Sequence, residues 1–306
     1  MINDTYIRAA KGWRDYELMD ASDGERLERW GEFYLIRPDP QIIWRTEKQN
    51  SKWTDADAVY HRSDRGGGEW EMRKKLPQSW TANWMDTVRL SVTPTAFKHT
   101  GVFPEQAANW EIYMETIKRA DSPVKVLNLF GYTGGASIAC LKAGAEVCHV
   151  DASKGMVRQA KLNAALSSVD DMPIRYIVED CRKFAARELR RGAEYDGIIM
   201  DPPSYGRGPS NEVWKMEDDM FDLVKTCEGI LSERPVFFAV NSYTAGLAPS
   251  VMGYMLAMVL GNRAGIVRSG EIGLPVSDTG LVMPAGSTAF FFSENIADKG
   301  ENGGNS

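Results

Sequence analysis

Short apolar runs and amphipathic stretches alternate along the last two-thirds of the chain and predict its elements directly. The runs place strands over 125–129, 146–151, 174–179, 197–201, 235–241, about 264–272 and 288–293. Between them, apolar residues at helical spacing predict helices over 135–143, 153–166, 181–191, 216–231 and about 250–260. Such alternation builds a mostly parallel, doubly wound α/β sheet with crossover helices. The last two strands follow one another without a helix, which predicts a terminal antiparallel hairpin and seven strands in all.

The first ninety residues have another texture. Apolar or alternating runs at 16–19, 33–36, 42–45, 69–73 and 88–92 are separated by turns at Ser22-Asp23-Gly24, Pro38-Asp39-Pro40 and Gly66-Gly67-Gly68. Seven of the nine tryptophans fall here (Trp13, Trp30, Trp44, Trp53, Trp70, Trp80 and Trp84), and most are expected to anchor a core. The expected plan is a small strand-rich domain over 1–90, an arm and helix over 91–123, a main domain over 124–293 and a flexible tail over 294–306. Arg62, Arg65, Arg73, Lys74 and Lys75 form the densest basic cluster. It reads as a phosphate contact or, given Asp64, Glu69 and Glu71 among them, as a solvated hairpin.

Composition narrows the class. With 306 residues and a net charge of −6, the chain is an ordinary globular protein without the overall positive charge of a non-specific nucleic-acid binder. Cys140, Cys148, Cys181 and Cys227 all fall inside predicted elements, as reduced packing residues of a cytoplasmic protein do, and no metal site is expected. No apolar leader is visible. The stretch 246–261 is too short to span a membrane, contains Pro249, and is expected to form a buried helix.

Candidate chemistry sits where strands end. Residues 126–135 (Val-Leu-Asn-Leu-Phe-Gly-Tyr-Thr-Gly-Gly in the order Lys125 is followed) run from strand through a glycine turn into a helix, a unit that lets a ligand approach backbone N–H groups. Asp151 ends the next strand, sixteen residues past Gly135, about where a doubly wound fold holds a ribose. Asp180 follows the third strand. Each acid also precedes a helix, where aspartate serves as an N-cap; two acids on successive strands favour binding. Asp201-Pro202-Pro203-Ser204-Tyr205 follows the fourth strand. Its prolines hold the chain extended with free carbonyls, and Tyr205 is placed to stack on a base, the alternative being a stiff surface turn.

Together, Asn128-Leu129-Phe130-Gly131-Tyr132-Thr133-Gly134-Gly135, Asp151 and Asp201-Pro202-Pro203-Ser204-Tyr205 resemble the S-adenosylmethionine-dependent large-subunit ribosomal RNA methyltransferases, which have the class I, Rossmann-like fold. Upstream, Phe97-Lys98-His99-Thr100-Gly101-Val102-Phe103-Pro104-Glu105-Gln106 is similar to that family's arm, and Leu274-Pro275 with Leu281-Val282-Met283-Pro284 to its final hairpin. The likeness covers about residues 90–293 and leaves the tryptophan-rich segment outside it. It implies S-adenosyl-L-methionine as cofactor and RNA as partner. Phe130, Gly131, Tyr132, Thr133 and Gly134 would line the methionine end, Asp151 with Ser153 the ribose, and Asp180 the adenine. Asn163 would support the pocket, and Lys98 and Thr100 would close it.

One departure matters. Enzymes that methylate cytosine C5 first add a cysteine thiolate to the ring. The stretch after the fifth strand reads Val240-Asn241-Ser242-Tyr243, without that cysteine. The asparagine is closer to the guanine-N7 branch, where in-line positioning by Asp201 and Asn241 suffices; an exocyclic amine is the weaker choice, because Ser204 follows the two prolines. Other readings are a methyltransferase for a small molecule or protein side chain, and a non-catalytic cofactor- or RNA-binding module. A nicotinamide enzyme is disfavoured by the turn, which lacks Gly-x-Gly-x-x-Gly.

Overall fold

The computed structural model describes residues 7–63, 67–95, 98–208 and 212–301, the side chains of 298–301 excepted. Asp64, Arg65 and Gly66 of the basic turn, Phe97 of the arm and tail residues 302–306 lie outside the described residues. The chain forms two compact units whose boundaries fall at Arg8/Ala9, Ala108/Asn109, Ile272/Gly273 and Pro284/Ala285. This differs from the expected break near residue 90. The arm folds with the tryptophan-rich segment, and so does the far end of the C-terminal hairpin.

Strand β1 (Ile7–Ala9) leads into that smaller unit. There β2 (Tyr16–Ser22), β3 (Glu25–Trp30), β4 (Phe33–Pro38), β5 (Ala58–Arg62) and β6 (Gly68–Met72) form a five-stranded sheet in sequence order. Strands β4 and β5 pair parallel and the other neighbours antiparallel. A separate hairpin joins β7 (Trp80–Trp84) to β8 (Val88–Val92). Trp30, Trp53 and Trp84 are buried, as core anchors should be, whereas Trp44 is exposed. The run 42–45 is no strand: Ile42 is buried, but Ile43 points to solvent at 89% exposure. Within the basic cluster, Arg73 pairs with Glu71 (3.0 Å) and Lys74 with buried Asp57 (2.8 Å).

The larger unit takes up the chain again at Asn109 within helix α1 (Ala107–Arg119) and then alternates strand and helix. The order is β9 (Lys125–Leu129), α2 (Gly135–Lys142), β10 (Glu146–Asp151), α3 (Lys154–Leu166), β11 (Ile174–Val178), α4 (Cys181–Arg190) and β12 (Gly197–Met200). A short hairpin, β13 (Tyr205–Arg207) and β14 (Val213–Lys215), precedes α5 (Met216–Glu228), β15 (Phe237–Ser242) and α6 (Pro249–Leu260). The long strands β16 (Gly265–Pro275) and β17 (Val282–Ser293) and helix α7 (Glu294–Glu301) end the description, so 294–301 is helical where a loose tail was expected.

The main sheet has eight strands in the order β1-β16-β17-β15-β12-β9-β10-β11. That is one more than expected, because β1 adds itself beside β16. The five strands from β11 to β15 are parallel, and β17 runs antiparallel to β15. Period-two alternation sorts their side chains. Leu127 and Leu129 join Val150, Ile198, Met200, Phe238 and Val240 in one core with Phe184, Leu223 and Leu256 of the covering helices. Each such leucine contributes about 2 kcal/mol by leaving water. Asn128 points to the opposite face, toward Ser137 of α2. Helix α6 is only half buried: Met252, Leu256 and Leu260 face the core while Val251, Tyr254 and Met258 are exposed, which corrects the expectation of a wholly buried helix. Among the described residues no helix is long and apolar enough to cross a membrane.

Candidate active site

Parallel register brings five strand ends to one level. Val178 pairs with Asp151, Val150 with Leu129, Leu129 with Met200, and Met200 with Val240. The residues that follow, Asp180, Asp151, Phe130, Asp201 and Asn241, therefore line one carboxyl rim. In a doubly wound sheet this rim is where ligands bind.

The turn after β9 is shaped by backbone conformation. Phe130 (φ 56°), Tyr132 (φ 50°) and Gly134 (φ 90°) are left-handed, and the first two bear the strain that side chains carry there. Two bonds repay that strain locally: the Tyr132 N–H donates to Asp151 Oδ2 (2.9 Å), and the Gly131 N–H donates to Val150 O (3.0 Å). Gly131 has no room for a side chain, since a Cβ there would lie 2.4 Å from the ring of buried His149. A Cβ on Gly135 would meet Trp110 at the same distance. The N-cap of α2 is Gly134, which has no side chain to cap it, and a helix start of this kind suits an anionic ligand group.

Beneath the turn lies a buried polar trio. Asn128 Nδ2 donates to Ser137 Oγ (2.9 Å), which lies 3.0 Å from His149 Nδ1. Burial pushes the His149 imidazole down to about 4, so it is neutral at pH 7. Asn163, also buried, donates to Thr133 O (2.8 Å) and so ties α3 to the turn. The Phe130 N–H donates to Cys181 Sγ (3.2 Å), and the Phe130 ring rests against Trp214. His149, Ser137 and Trp214 escaped the sequence reading because they look like ordinary strand, helix and loop residues.

Asp151 takes one amide on each oxygen: Tyr132 N–H on Oδ2, and Ser153 N–H (2.8 Å) on Oδ1. Each carboxylate oxygen has a second lone pair, so the pair can still accept from a diol. Burial pushes this carboxyl above its ordinary range, against the two amide bonds that pull it down. Ser153 caps α3 through Met156. Asp180 caps α4: the Arg182 and Lys183 amides both land on Oδ1 (3.0 and 3.1 Å), which leaves Oδ2 for another donor. Thus Asp180 can cap and bind at once, whereas α3 is capped by Ser153 and the two bonds of Asp151 hold the turn and the Ser153 amide.

At the other end of the rim, the Asp201 N–H reaches Leu129 O (3.4 Å) and Pro202 is buried. Pro203 O accepts from Trp214 Nε1 (2.6 Å), and Ser204 Oγ meets Thr244 Oγ1 (2.8 Å). Tyr205 is 53% exposed on β13. Buried Asn241 accepts on Oδ1 from Asn109 Nδ2 (3.0 Å), and Asn109 Oδ1 accepts from Arg8 (3.1 Å). Asn109 and Arg8 were missed in the sequence; only their distance partners reveal them. Lys98 and Thr100 belong to the smaller unit. There Lys98 Nζ donates to Pro38 O (3.4 Å), and Thr100 is buried with its carbonyl accepting from Thr93 N–H (3.0 Å).

All four cysteines are free and buried, and burial pushes their thiols up, Cys181 and Cys227 included. Among the described residues no His, Cys, Asp and Glu cluster could hold a metal ion.

The rim can therefore bind and orient a polar cofactor against a planar acceptor, but it offers no thiolate. A family model of S-adenosylmethionine-dependent methyltransferases matches residues 76–228, half of the chain. The chain belongs to that family. As a whole, this methyltransferase is similar to an S-adenosylmethionine-dependent methyltransferase of Agrobacterium tumefaciens of known crystal structure: 35% identity, TM-score 0.88, and 96% and 98% of the two chains covered. A Streptococcus mutans methyltransferase shares the fold at 18% identity (TM-score 0.72; 92% of this chain and 76% of that one). Ribosomal RNA large subunit methyltransferase I of Aeromonas salmonicida is 35% identical over 107 residues, 35% of this methyltransferase and 26% of the relative. The K/L enzyme of Pseudoalteromonas atlantica is 32% identical over 133 residues, 43% and 18% of the two. The match thus spans about a quarter or less of these curated relatives' length. S-adenosyl-L-methionine is the cofactor that the family uses, and the glycine turn, the lone pairs left on Asp151 and the uncapped start of α2 fit it.

Proposed function

We propose that this methyltransferase acts on a base nitrogen of ribosomal RNA, guanine N7 or an exocyclic amine, and not on cytosine C5. The observation that carries the choice of atom is the state of the thiols: every cysteine is buried and held protonated, with none on the loops after β12 or β15. The names of the partial relatives support RNA as acceptor.

In this reading Phe130, Gly131, Tyr132, Thr133 and Gly134 present backbone to the methionine end, and the start of α2 holds its carboxylate. Asp151, with Ser153 behind it, accepts from the ribose hydroxyls. Asp180 accepts from the adenine amine through Oδ2, and Asn163 keeps the turn in place through Thr133. When bound, the cofactor supplies an electrophilic methyl on a sulfonium. Asp201 and Asn241 orient the acceptor, Pro202 holds the loop extended, and Tyr205 stacks on the base. N7 carries a free lone pair, so no residue need remove a proton before transfer; positioning is the main contribution.

The test is transfer of label from methyl-tritiated cofactor into ribosomal RNA, followed by nucleoside analysis. Label on a base nitrogen is the expected result. Label at cytosine C5, or only in small molecules or proteins, refutes the proposal.

A further inference from the structure

Away from the rim, a cavity of about 280 Å³ opens in the larger unit, bordered by β1, α1, β16, β17 and α7. Its lining is mixed in a specific way. Arg8, Arg119 and Arg268 come from three separate elements, and Glu115 is the one acid among the lining residues, paired with Arg119 (3.4 Å). Among the lining residues, three arginines thus stand against one acid. Ile112, Phe292 and Ile296 give it an apolar floor. Thr288 adds a second and independent sign of a ligand: it is fully buried, it lines the cavity, and its Oγ1 has no hydrogen-bond partner among the described residues. Buried hydroxyls in that state are few in folded chains, and one beside a cavity marks a place where water or a ligand can bind.

The cavity is also wired to the rim. Arg8 donates to Asn109 Oδ1, and Asn109 Nδ2 donates to Asn241 Oδ1. Thr288 stands directly opposite Asn241 in the β15–β17 pairing, so both side chains share one face of the sheet.

We propose that this cavity binds a small phosphate monoester with an apolar or planar body, and that occupancy is felt at Asn241 through Arg8 and Asn109. Guanidinium groups pair bidentately with phosphate and with carboxylate, and three of them from separate elements favour the more highly charged dianion. The apolar floor takes the organic body, and the volume is just below that of ordinary small-molecule pockets. An anion drawn to Arg8 shifts the guanidinium that orients Asn109, and through it the amide of Asn241. The effect on methyl transfer rests on the function proposed above; binding itself does not.

The experiment uses the full chain and phenyl phosphate as probe, by titration calorimetry, with inorganic phosphate and benzoate beside it. Phenyl phosphate is expected to bind at least ten-fold more tightly than either. Arg268→Gln and Arg119→Gln should each weaken it about ten-fold while S-adenosylmethionine affinity, read in the same way, stays unchanged. Absence of binding overturns the site. Equal binding of inorganic phosphate overturns the role of the floor, and equal binding of benzoate overturns the choice of phosphate. With asparagine side chains labelled, saturating probe should shift the side-chain amide resonances of Asn109 and Asn241; unmoved resonances overturn the relay whether or not RNA is the acceptor.

Discussion

Asp151→Asn separates the two duties of one carboxylate. In the wild type each oxygen accepts an amide, from Tyr132 and from Ser153, at 2.9 and 2.8 Å. Asparagine has one acceptor oxygen, so its NH₂ must face one of those N–H groups. Leaving one buried backbone donor without a partner costs about 1–3 kcal/mol. The Tyr132 bond is the more exposed to this loss, because it supports a left-handed residue. The folded protein should therefore unfold at a denaturant concentration lower by the equivalent of about 1–3 kcal/mol. Cofactor binding loses more, since hydrogen bonds from the ribose diol to a charged acceptor are worth about 1.5–3 kcal/mol. That converts to a Kd about ten- to hundred-fold higher at pH 7. Calorimetry with S-adenosylmethionine, at a denaturant-free temperature where the variant is folded, reads the second quantity directly. An affinity within about three-fold of wild type, a difference under roughly 0.7 kcal/mol, would remove Asp151 from the ribose site.

Three further outcomes follow from the same geometry. Gly131→Ala drives a methyl into the His149 ring and should cost about 1–3 kcal/mol of stability by overpacking, measured by denaturant unfolding; an unchanged midpoint would mean that the ring swings aside. His149 and His99 are both pushed by burial down to about 4, so they stay neutral in the folded chain while the unfolded chain takes up protons below about 6.5. Their contribution to stability is complete above that pH and is lost as pH falls toward 4, at up to about 1.4 kcal/mol per unit for each; His149→Gln should flatten the slope of unfolding free energy against pH by its share, and an unaltered slope would contradict its burial as a neutral ring. Tyr205→Ala should raise the KM for acceptor RNA by about ten-fold, a stacking loss of about 1–3 kcal/mol, with cofactor Kd unchanged; an unchanged KM would leave Tyr205 as a surface residue.

The main sheet was legible because its central strands are buried on both faces and so read as unbroken apolar runs. Strands β9 and β10 fall where the sequence puts them, and β11 and β12 each end one residue earlier. The smaller unit hid its strands. Glu25-Arg26-Leu27-Glu28-Arg29-Trp30 looks like a solvated loop, yet Glu28 is fully buried because Arg37 of β4 donates two bonds to it (2.5 and 2.8 Å) and Tyr16 of β2 a third. Charge that is satisfied across a sheet leaves no apolar signature along one strand. The rim acids were readable because strand ends and helix starts flag them. Asn109 and Arg8 were not, since their role arises from partners 132 and 101 residues away in the chain.

The smaller unit borrows residues 273–284 from the distal stretch of the polypeptide. Leu18 bridges to Val276, the Ser277 N–H donates to Leu18 O (3.0 Å), and the Asp278 N–H donates to Met19 O (2.9 Å). During vectorial synthesis, which emits about 5–20 residues per second, the open edge of β2 stays uncovered until that loop has left the ribosome. Nascent chains stalled before it should expose an unpaired strand to neighbours, so maturation of the two units is timed by one late segment and not by the order of their first residues.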